Sequence, residues 1–405
     1  MENIFLDFTS ESGIFKDKEV LRPAYIPAYL PHRKKQIKNL AGALSAALKG
    51  ETPPNIFIYG KSGVGKTATV KYVSTELEAI CKKIDSKCAI VYINAEIFDT
   101  QYRVFAYLAR VFNKRVPMIG WPTDMVYSEF KDGVDAEKRC VIIILDEVDK
   151  LASKGDEALY NLSKINSELN NARLCIICIS NDVTFMELQK PGVRASLSEE
   201  TILFPPYDAY QLRDILVDRA EKAFNISVLD DEVIPLCVAF AAQEHGDVRK
   251  ALNLLRVSGE IADLTKSKKV HVEHVRRARE HIDEGRITEV VKTLPLQSKL
   301  ILNSVIRLNS EGGKTHLFSG EVYNTYQNIC DHLGIESLTQ RRVTDLISEL
   351  DILGLIDARV VNRGRYGRTK EISLIVPTEY VQSALTGEYD EALLSIKQKA
   401  ESSTA

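Results

Sequence analysis

Eight residues near the start of the chain, GKSGVGKT at positions 60–67, directly follow the apolar run NIFIY and precede a stretch with helical character. The spacing G-x-x-x-x-G-K-T between a strand and a helix is the phosphate-binding loop pattern, in which glycines let backbone N–H groups approach an anion. Lys66 is expected to reach the outer phosphates of a nucleotide, and the Thr67 hydroxyl to ligate Mg²⁺. A glycine-rich turn that binds nothing is the weaker interpretation, because strand, loop, lysine, hydroxyl and helix all occur in order. The residues expected to hold the nucleotide are Gly60, Gly63, Val64, Gly65, Lys66 and Thr67.

Four short apolar runs indicate the architecture around this loop. They read NIFIYG, AIVYINA, CVIIILD and LCIICIS, and a helical stretch separates each from the next. Continuous apolar strands that alternate with helices predict an α/β fold with a parallel sheet covered on both faces. Cys175 and Cys178 lie three positions apart in the last run and would point to opposite faces of a strand. We therefore expect neither a metal site nor a disulfide from this pair.

The length of the chain, 405 residues, exceeds one ordinary core, so several domains are expected. Two prolines within FPPYDAYQLRDIL, at 204–216, mark a boundary, and a long helical region follows it. A further unit begins near TLPLQSKLILNSV and contains three helical segments followed by two strand-like runs. We predict an arm at 1–25, a nucleotide-binding core at 26–204, a helical lid at 205–286, a third domain at 287–385 and a tail at 386–405.

The composition is that of a globular protein, with 45% apolar and 27% charged residues. The sequence contains no run of eighteen apolar residues and no signal-like N-terminus, which predicts a cytoplasmic protein with no membrane partner. The net charge of −3 argues against a uniformly basic nucleic-acid binder, but it is compatible with a local basic patch.

Acidic, amide and cationic side chains beyond the loop extend the pattern to that of an ATPase. VIIILDEVD places Asp146 and Glu147 at the end of an apolar strand, where they are suited to hold the Mg²⁺ water shell and to polarise an attacking water. Asn181 in ICISND would orient that water, although Ser-Asn-Asp is also ordinary turn chemistry. Arg249 in GDVRKALNLLR is placed to bridge the γ-phosphate to the lid, or else it remains in solvent. Arg194 in PGVRASLSEE would reach a neighbouring subunit's phosphate or form a surface salt bridge, and the sequence leaves both open.

The order of these motifs, GKSGVGKT, LDEVD, ISND, VRASL and GDVRKAL, resembles that of AAA+ ATPases. With LPHR before the first strand and FPPYDAYQLRDIL before the lid, nearly the whole chain resembles the archaeal replication initiators of the origin recognition complex and cell division control protein family. The resemblance implies an AAA+ core with a helical lid, followed by a C-terminal winged-helix domain, and ATP or ADP with Mg²⁺ as cofactors. It also implies that Tyr207 packs on the nucleotide and that Arg219 contacts the nucleotide from the lid.

The same resemblance implies a helical insertion in the core that contacts DNA. It would lie in FDTQYRVFAYLARVFNKRVPMIGWPTDMVYSEF, where Lys114 and Arg115 precede an exposed-looking tip at Ile119, Gly120 and Trp121. From the residues alone, this segment could equally form two helices that pack against the core.

A second DNA-binding element is indicated near the C-terminus. ESLTQRRVTDLISELDILG begins with a capping box, Ser337-x-x-Gln340, which predicts a helix from about Leu338. Apolar residues fall on one side of this helix and polar residues largely on the other, and GEVYNTYQNICDHL precedes it through a short turn at Gly334. This pattern predicts a helix-turn-helix whose second helix enters the DNA major groove, with Gln340, Arg341 and Arg342 as candidates for base contacts.

ARVVNRGRYGRTKEISLIV follows this helix and alternates as two strands around a basic tip with two glycines. A cationic tip on an acidic chain favours contact with phosphates or with a narrow minor groove, which indicates a winged helix with a basic wing. A winged helix used for protein contacts is the alternative. The wing residues expected to contact nucleic acid are Arg363, Arg365, Tyr366, Arg368 and Lys370.

Three functions are compatible with these motifs. The leading hypothesis is a nucleoid-associated initiator that recognises double-stranded origin DNA through the winged helix and the insertion. It would use ATP as a slowly hydrolysed switch and help to recruit the replicative helicase, alongside paralogous initiators. The alternative is an AAA+ loader ATPase that remodels protein partners with rapid turnover. A signalling ATPase with a winged helix is disfavoured, because such proteins typically continue into long repeat arrays after the wing.

Overall fold

The computed structural model describes residues 13–117, 119–155, 157–243, 246–312, 317–362 and 368–385, with side chains except at 311, 312 and 368. The chain divides between residues 275 and 276 into two units. Among the described residues, no helix is long and apolar enough to cross a membrane.

The first unit is built on a five-stranded parallel sheet with the strand order β2-β3-β4-β1-β5. The strands are β1 (Ile56–Tyr59), β2 (Cys88–Asn94), β3 (Cys140–Asp146), β4 (Arg173–Ser180) and β5 (Glu200–Leu203). Strand β3 is buried at every position, which is why its sequence is a continuous apolar run. The predicted α/β core is confirmed. Strand β5 was not predicted, because it lies at the edge of the sheet and buries only Ile202.

Helices cover both faces of this sheet. One face packs against α1 (Lys34–Leu44) and α2 (Lys66–Lys83), and the other against α3 (Gln101–Val111), α4 (Thr123–Asp135), α5 (Val148–Ala152), α6 (Glu157–Lys164) and α7 (Pro191–Leu197). Cys175 belongs to the core under α1 and α2, whereas Cys178 belongs to the core on the other side. The two thiols therefore lie on opposite faces of the sheet, as predicted.

The segment predicted as an insertion, or as two core helices, forms α3 and α4. Phe105 and Phe130 are fully buried between these helices, and their rings stack with centroids 5.7 Å apart. The connection between the helices projects at Ile119, which is 82% exposed. Trp121, which was expected to be exposed, is instead partly buried against the core. The helices thus pack on the core, and the projecting tip is smaller than the sequence suggested.

A helical lid follows the sheet and consists of α8 (Ala209–Ala223), α9 (Val233–Gln243) and α10 (Val248–Leu264). Asp208 is the N-cap of α8, and its side chain accepts a hydrogen bond from the Gln211 N–H at 2.8 Å. We call residues 204–208, which join β5 to α8, the hinge segment. The paired prolines lie within this segment, so the chain leaves the sheet and enters the lid over only a few residues.

Residues 14–21 of the predicted arm pack on the lid, and we name them the strap. Phe15 stacks on Phe224 with ring centroids 4.9 Å apart, and the next two backbone N–H groups donate to Ala223 O. Gly259 of α10 leaves room for this contact, since a Cβ there would lie 2.4 Å from the Phe15 ring. The apolar residues of the strap follow no helical or strand period, which explains why the sequence indicated only an irregular arm.

The second unit is a winged helix. Helix α11 (Val272–Thr293) begins before the division, and α12 (Leu296–Gly312), α13 (Ser319–Leu333) and α14 (Gln340–Ile352) follow. The strands β6 (Leu317–Phe318), β7 (Ile356–Asn362) and β8 (Arg368–Leu374) form an antiparallel sheet with the order β6-β8-β7. The buried side of α14, formed by Val343, Leu346, Ile347 and Leu350, faces the core of this unit as the sequence predicted.

Helix α14 begins two residues later than predicted. Its N-cap is Thr339 rather than Ser337, and the Thr339 hydroxyl accepts a hydrogen bond from the backbone N–H three residues further on. Leu338 stays outside the helix because its N–H donates to the Tyr326 hydroxyl at 2.9 Å and its side chain packs on the core. The first helical residue is therefore Gln340.

Candidate nucleotide site and nucleic-acid surface

The phosphate loop curves around the N-terminal end of α2. Gly63 and Gly65 have φ values of 75° and 84°, in the left-handed region that favours glycine. Gly60 lies against the hinge segment, where a Cβ would be 2.3 Å from Phe204 O. The first N–H groups of a helix have no partner within the helix, so the start of α2 offers donors and a positive helix end to an anion.

Lys66 is a buried cation whose hydrogen-bond acceptors are neutral. Its amino group donates to Gly60 O at 2.6 Å, to Lys61 O at 2.7 Å and to Asn181 Oδ1 at 2.8 Å. Burial lowers the pKa of Lys66 from 10.5 to about 8, although the Asp146 carboxylate opposes this shift. A polyphosphate beside the amino group would supply the charged hydrogen-bond acceptor that its neutral partners do not provide, so these residues fit a nucleotide.

Oxygen ligands suited to Mg²⁺ meet at Asp146. The Thr67 hydroxyl donates to Asp146 Oδ2 at 2.8 Å, and the Tyr92 hydroxyl donates to the same oxygen at 2.6 Å. Carboxylate and hydroxyl oxygens beside a phosphate loop fit a magnesium ion that keeps part of its water shell. Tyr92 was not predicted as a site residue, because it belongs to an ordinary apolar strand. Only the pairing of Tyr92 with Ile144 across β2 and β3 brings its hydroxyl to the carboxylate.

Glu147 follows β3 in an uncommon backbone conformation, with a φ of 56°. Burial raises the pKa of its carboxyl, and the neighbouring Glu96 and Asp146 carboxylates raise it further. Non-glycine residues in this conformation concentrate at functional sites. A carboxylate with a raised pKa beside the phosphate loop is suited to accept a proton from water.

Asn181 lies at the end of β4, next to β3 in the sheet. Its side-chain oxygen accepts from Lys66, and its backbone N–H donates to Asp149 Oδ1 at 3.4 Å. The Ser180 hydroxyl donates to the same Asp149 oxygen at 2.9 Å. These contacts fix the Asn181 amide against the phosphate loop. The expectation that Asn181 orients a water stays a prediction.

The first turn of α10 contacts the phosphate loop from the lid. Asp247 is the N-cap of α10, and its Oδ1 accepts from the Arg249 N–H at 2.9 Å. The same carboxylate occupies the space over Gly63, where a Cβ would lie 1.8 Å from Oδ1. The Arg249 guanidinium donates to Asp247 Oδ2 at 3.2 Å and to the Ser62 hydroxyl. Arg249 is half exposed, yet it joins the lid to the loop.

Arg33 was not predicted as a site residue, although it is the largest of the fully buried side chains and only 1% exposed. Its Nε donates to Val64 O at 2.9 Å, and its Nη2 donates to Pro205 O at 2.8 Å. The guanidinium lies over the Tyr207 ring, with 3.8 Å between its central carbon and the ring centroid. The only sequence signal for Arg33 was its place in LPHR before α1.

The two residues that the resemblance assigned to the nucleotide both line the cavity, but each also has protein partners. Tyr207 is 6% exposed, and the Arg33 guanidinium lies over its ring. Arg219 lies over the Tyr25 ring at 4.6 Å and donates to Val20 O at 3.3 Å, which ties the lid to the strap.

These elements enclose a cavity of about 340 Å³, within the size range of small-molecule sites. Its polar lining comes from the phosphate loop with Asp146, Glu147, Asn181 and Arg249. Its apolar lining comes from Tyr25, Ile26, Pro27, Leu30, Ile215 and Leu252. Polar groups for phosphates together with apolar side chains for a flat ring are what a nucleotide requires.

Arg194 does not line this cavity. It lies exposed on α7, after the loop that follows β4. The expectation that it reaches the nucleotide of a neighbouring subunit stays a prediction.

A groove in the second unit lies between the start of α14 and the wing strands. It is lined by Ser319, Gln340, Arg341, Thr344, Val360, Thr369 and Lys370. The Lys370 ammonium donates to Thr344 O at 3.2 Å and to the Ser348 hydroxyl, so β8 is fastened to α14. Arg342 pairs loosely with Glu349, with 3.9 Å between nitrogen and oxygen. The structure thus brings Gln340, Arg341 and Lys370 to one surface.

The tip of the wing lies outside the described residues. This applies to Arg363, Arg365 and Tyr366, and the side chain of Arg368 is not described either. Their expected DNA contacts stay predictions.

Three known families match successive parts of the chain. An ATPase domain found predominantly in Archaea matches residues 32–226, and the AAA+ ATPase-type lid domain of Cdc6 matches residues 213–280. The C-terminal winged-helix domain of CDC6 matches residues 289–384. The succession of core, lid and winged helix is the one that the sequence motifs implied.

Curated relatives match almost the whole chain. The ORC1-type DNA replication protein 1 of Methanosarcina acetivorans is 55% identical over 391 residues, which cover 96% of this chain and 94% of that protein. The ORC1-type DNA replication protein of Pyrococcus horikoshii is 52% identical over 405 residues, covering 98% and 96%. Among solved structures, the Aeropyrum pernix ORC1 protein in complex with DNA is 44% identical with a TM-score of 0.83, covering 95% of this chain and 100% of that one. The chain therefore belongs to the archaeal ORC1/Cdc6 family of AAA+ DNA replication proteins.

Proposed function

We propose that this protein recognises double-stranded origin DNA and that ATP acts as its slowly hydrolysed conformational switch. In this proposal it also helps to recruit the replicative helicase. The observation that carries the proposal is the likeness to the Aeropyrum pernix ORC1 protein, which was solved in complex with DNA and matches 95% of this chain at 44% identity. The two units supply the two activities, since one contains the nucleotide cavity and the other the recognition helix.

ATP or ADP with Mg²⁺ is the cofactor that fits the cavity. The loop N–H groups and Lys66 would bind the phosphates, and Thr67 and Asp146 would hold the metal. Bound Mg²⁺ supplies charge neutralisation to the phosphate oxygens. Glu147 would accept the proton of the attacking water, and Asn181 would orient that water.

The lid and the surface supply the remaining proposed contacts. Arg249 would extend the loop's contacts to the γ-phosphate, because its guanidinium already reaches Ser62. Arg194, exposed on α7, would act on a nucleotide held by a paralogous initiator.

DNA would be gripped by the winged helix and by the tip between α3 and α4. Gln340 and Arg341, at the start of α14, would contact base edges, while the wing would contact phosphates. Ile119 and the partly buried Trp121 would form the second contact from the core.

Fluorescence anisotropy with origin duplex at several salt concentrations tests the DNA contacts. Arg341→Ala should weaken binding by roughly tenfold or more, because a good base contact contributes about 1–3 kcal/mol. Arg307→Ala, at an exposed position of α12, is the matched control and should leave the affinity unchanged. Equal affinities for wild type and Arg341→Ala would contradict the proposal that the start of α14 contacts DNA.

Turnover distinguishes the switch from a loader ATPase. A switch should release ADP slowly and hydrolyse ATP well below about 1 s⁻¹, at the bottom of the usual range for enzymes. Steady-state phosphate release measured with and without duplex decides this. Rapid multiple turnover that is stimulated by a protein partner, and not by DNA, would favour the loader.

A further inference from the structure

Arg33 is a fully buried cation to which the proposed mechanism assigns no task. Within the described part of the chain, Arg33 donates to Val64 O, Pro205 O and His32 O at 2.9, 2.8 and 3.4 Å. Its guanidinium lies 3.8 and 5.6 Å from the centroids of the Tyr207 and Phe204 rings. Desolvation lowers the pKa of its guanidinium, and Tyr207 opposes this shift. A buried charge held by such partners is costly, so its position calls for a reason.

The bond to Val64 O acts on the phosphate loop. The carbonyl of Val64 and the N–H of Gly65 belong to one peptide group, and a donor on the carbonyl strengthens the N–H as a donor. The Tyr207 hydroxyl restricts the same peptide from the side, since a Cβ at Gly65 would lie 2.9 Å from it. Arg33 therefore both polarises the loop and holds it in place.

The bond to Pro205 O acts on the hinge segment. Pro205 lies between β5 and α8, so a shift of its carbonyl is a shift of the connection to the lid. His32, the residue before Arg33, contacts helix α8 of the lid directly, with 2.9 Å between His32 Nε2 and Asp214 Oδ2. The loop before α10 of the lid also packs against the hinge segment, because a Cβ at Gly246 would lie 2.5 Å from Tyr207 O.

We propose that Arg33 is a positioning residue that couples the phosphate loop to the hinge segment, so that nucleotide binding at the loop is transmitted to the lid. This inference rests on the proposed nucleotide switch. When the loop adjusts to phosphates, Val64 O moves. The guanidinium follows because a buried donor that loses its acceptor is left with a large desolvation cost. Pro205 O follows the guanidinium for the same reason, and the hinge segment moves with it.

Two substitutions separate this coupling from a merely structural role. Arg33→Met keeps an unbranched but shorter side chain and removes the donors to Val64 O and Pro205 O. Loss of the uncompensated buried charge offsets part of the cost of leaving these two carbonyls without their donor. Arg33→Lys keeps the charge, but a single amino group cannot match the fork that reaches both carbonyls. Arg213→Lys makes the same exchange at an exposed position of α8 and serves as the control.

The experiment measures the full-length protein in two ways. The Kd for a fluorescent ADP analogue reports the loop. Amide hydrogen exchange of a peptide spanning residues 204–214 reports Tyr207, Asp208 and the first turn of α8, since Pro205 and Pro206 carry no N–H. Exchange is compared without nucleotide and at saturating nucleotide, so that a weaker affinity cannot mimic a loss of coupling. We expect the wild type and Arg213→Lys to show a nucleotide-dependent change in exchange of about tenfold. Arg33→Met should bind about tenfold more weakly and show less than about a third of that change.

The outcomes are distinct. A wild type that binds nucleotide without any change at the hinge segment overturns the switch and the coupling together. A wild type that responds, with Arg33→Met responding equally at saturation, overturns the role of Arg33 and leaves the switch intact. If Arg33→Met does not fold, Arg33→Lys decides, because a full hinge response in this variant shows that bonding both carbonyls is unnecessary.

Discussion

Replacing Lys66 with methionine should change how the stability of the first unit depends on pH. Burial lowers the pKa of the Lys66 amino group from 10.5 to about 8. As the pH rises through this interval, the native protein releases a proton that the unfolded chain still holds. The free energy of unfolding of the nucleotide-free protein therefore increases with pH. Lys66→Met removes this ionisation and should remove that increase.

The size of the effect follows from the same two values. Each pKa unit corresponds to 1.36 kcal/mol, so the buried charge costs on the order of 3 kcal/mol at pH 7. With a native pKa of about 8, the wild type should recover roughly 2.5 kcal/mol between pH 7 and pH 10 relative to the variant. Losing the bonds from the amino group to Gly60 O and Asn181 Oδ1 adds a contribution that does not vary with pH.

Urea unfolding of the nucleotide-free protein measures this difference. Trp121 is the single tryptophan of the chain and is partly buried against the core of the first unit, so its fluorescence reports the unit that contains Lys66. Lys82→Met, at an exposed position of the same helix, is the control and should follow the wild type at each pH. A difference between wild type and Lys66→Met that stays constant from pH 7 to pH 10 would refute the argument that burial disfavours the charged form of Lys66 in the nucleotide-free protein.

Three further substitutions test other contacts. Tyr92→Phe removes the hydroxyl that holds the Asp146 carboxylate and should raise the Mg²⁺ concentration required for nucleotide binding by roughly tenfold or more, as a metal titration would show. Gly259→Val should lower the free energy of unfolding by about 1–3 kcal/mol because it displaces the strap, whereas Gly42→Ala, which meets nothing within 4 Å, should be neutral or slightly stabilising in the same melts. Lys370→Met should weaken duplex binding and make the salt slope shallower by about one, as expected when a phosphate contact is removed. A weaker affinity with an unchanged salt slope would instead show that this lysine acts by fastening β8 to α14.

The parts of the site that the sequence predicted are those carried by a contiguous motif. GKSGVGKT sets the loop and the start of α2 within eight residues, and the two acids at the end of β3 follow an unmistakable apolar run. Because β1, β3 and β4 are neighbours in a parallel sheet, their carboxyl ends meet at one edge. That Lys66, Thr67, Asp146 and Asn181 lie at one edge was therefore predictable from a parallel sheet, whereas the strand order that makes them neighbours was not predicted.

The missing parts are those whose partners lie far apart in the chain. Arg33 bonds residues 31 and 172 positions away, and no local pattern marks such a residue. Tyr92 reaches Asp146 only through the pairing of two strands. The start of α14 was placed two residues too early because Ser337 offered a plausible cap, while the contact between Leu338 and Tyr326 that keeps the chain out of the helix is tertiary.

The strap has a consequence for how the protein is made. Its partner Gly259 lies roughly 240 residues after Phe15, so at about 5–20 residues per second the ribosome delivers the lid some ten to fifty seconds after the strap. The strands of the sheet are made during that interval, the last of them at Glu200–Leu203, while the strap has no lid to pack on. Arg219, which lies over Tyr25, and Arg249, which reaches Ser62 of the phosphate loop, also emerge late. A nascent chain therefore contains the phosphate loop and the acids that follow β3 well before it contains the lid side chains that line the same cavity.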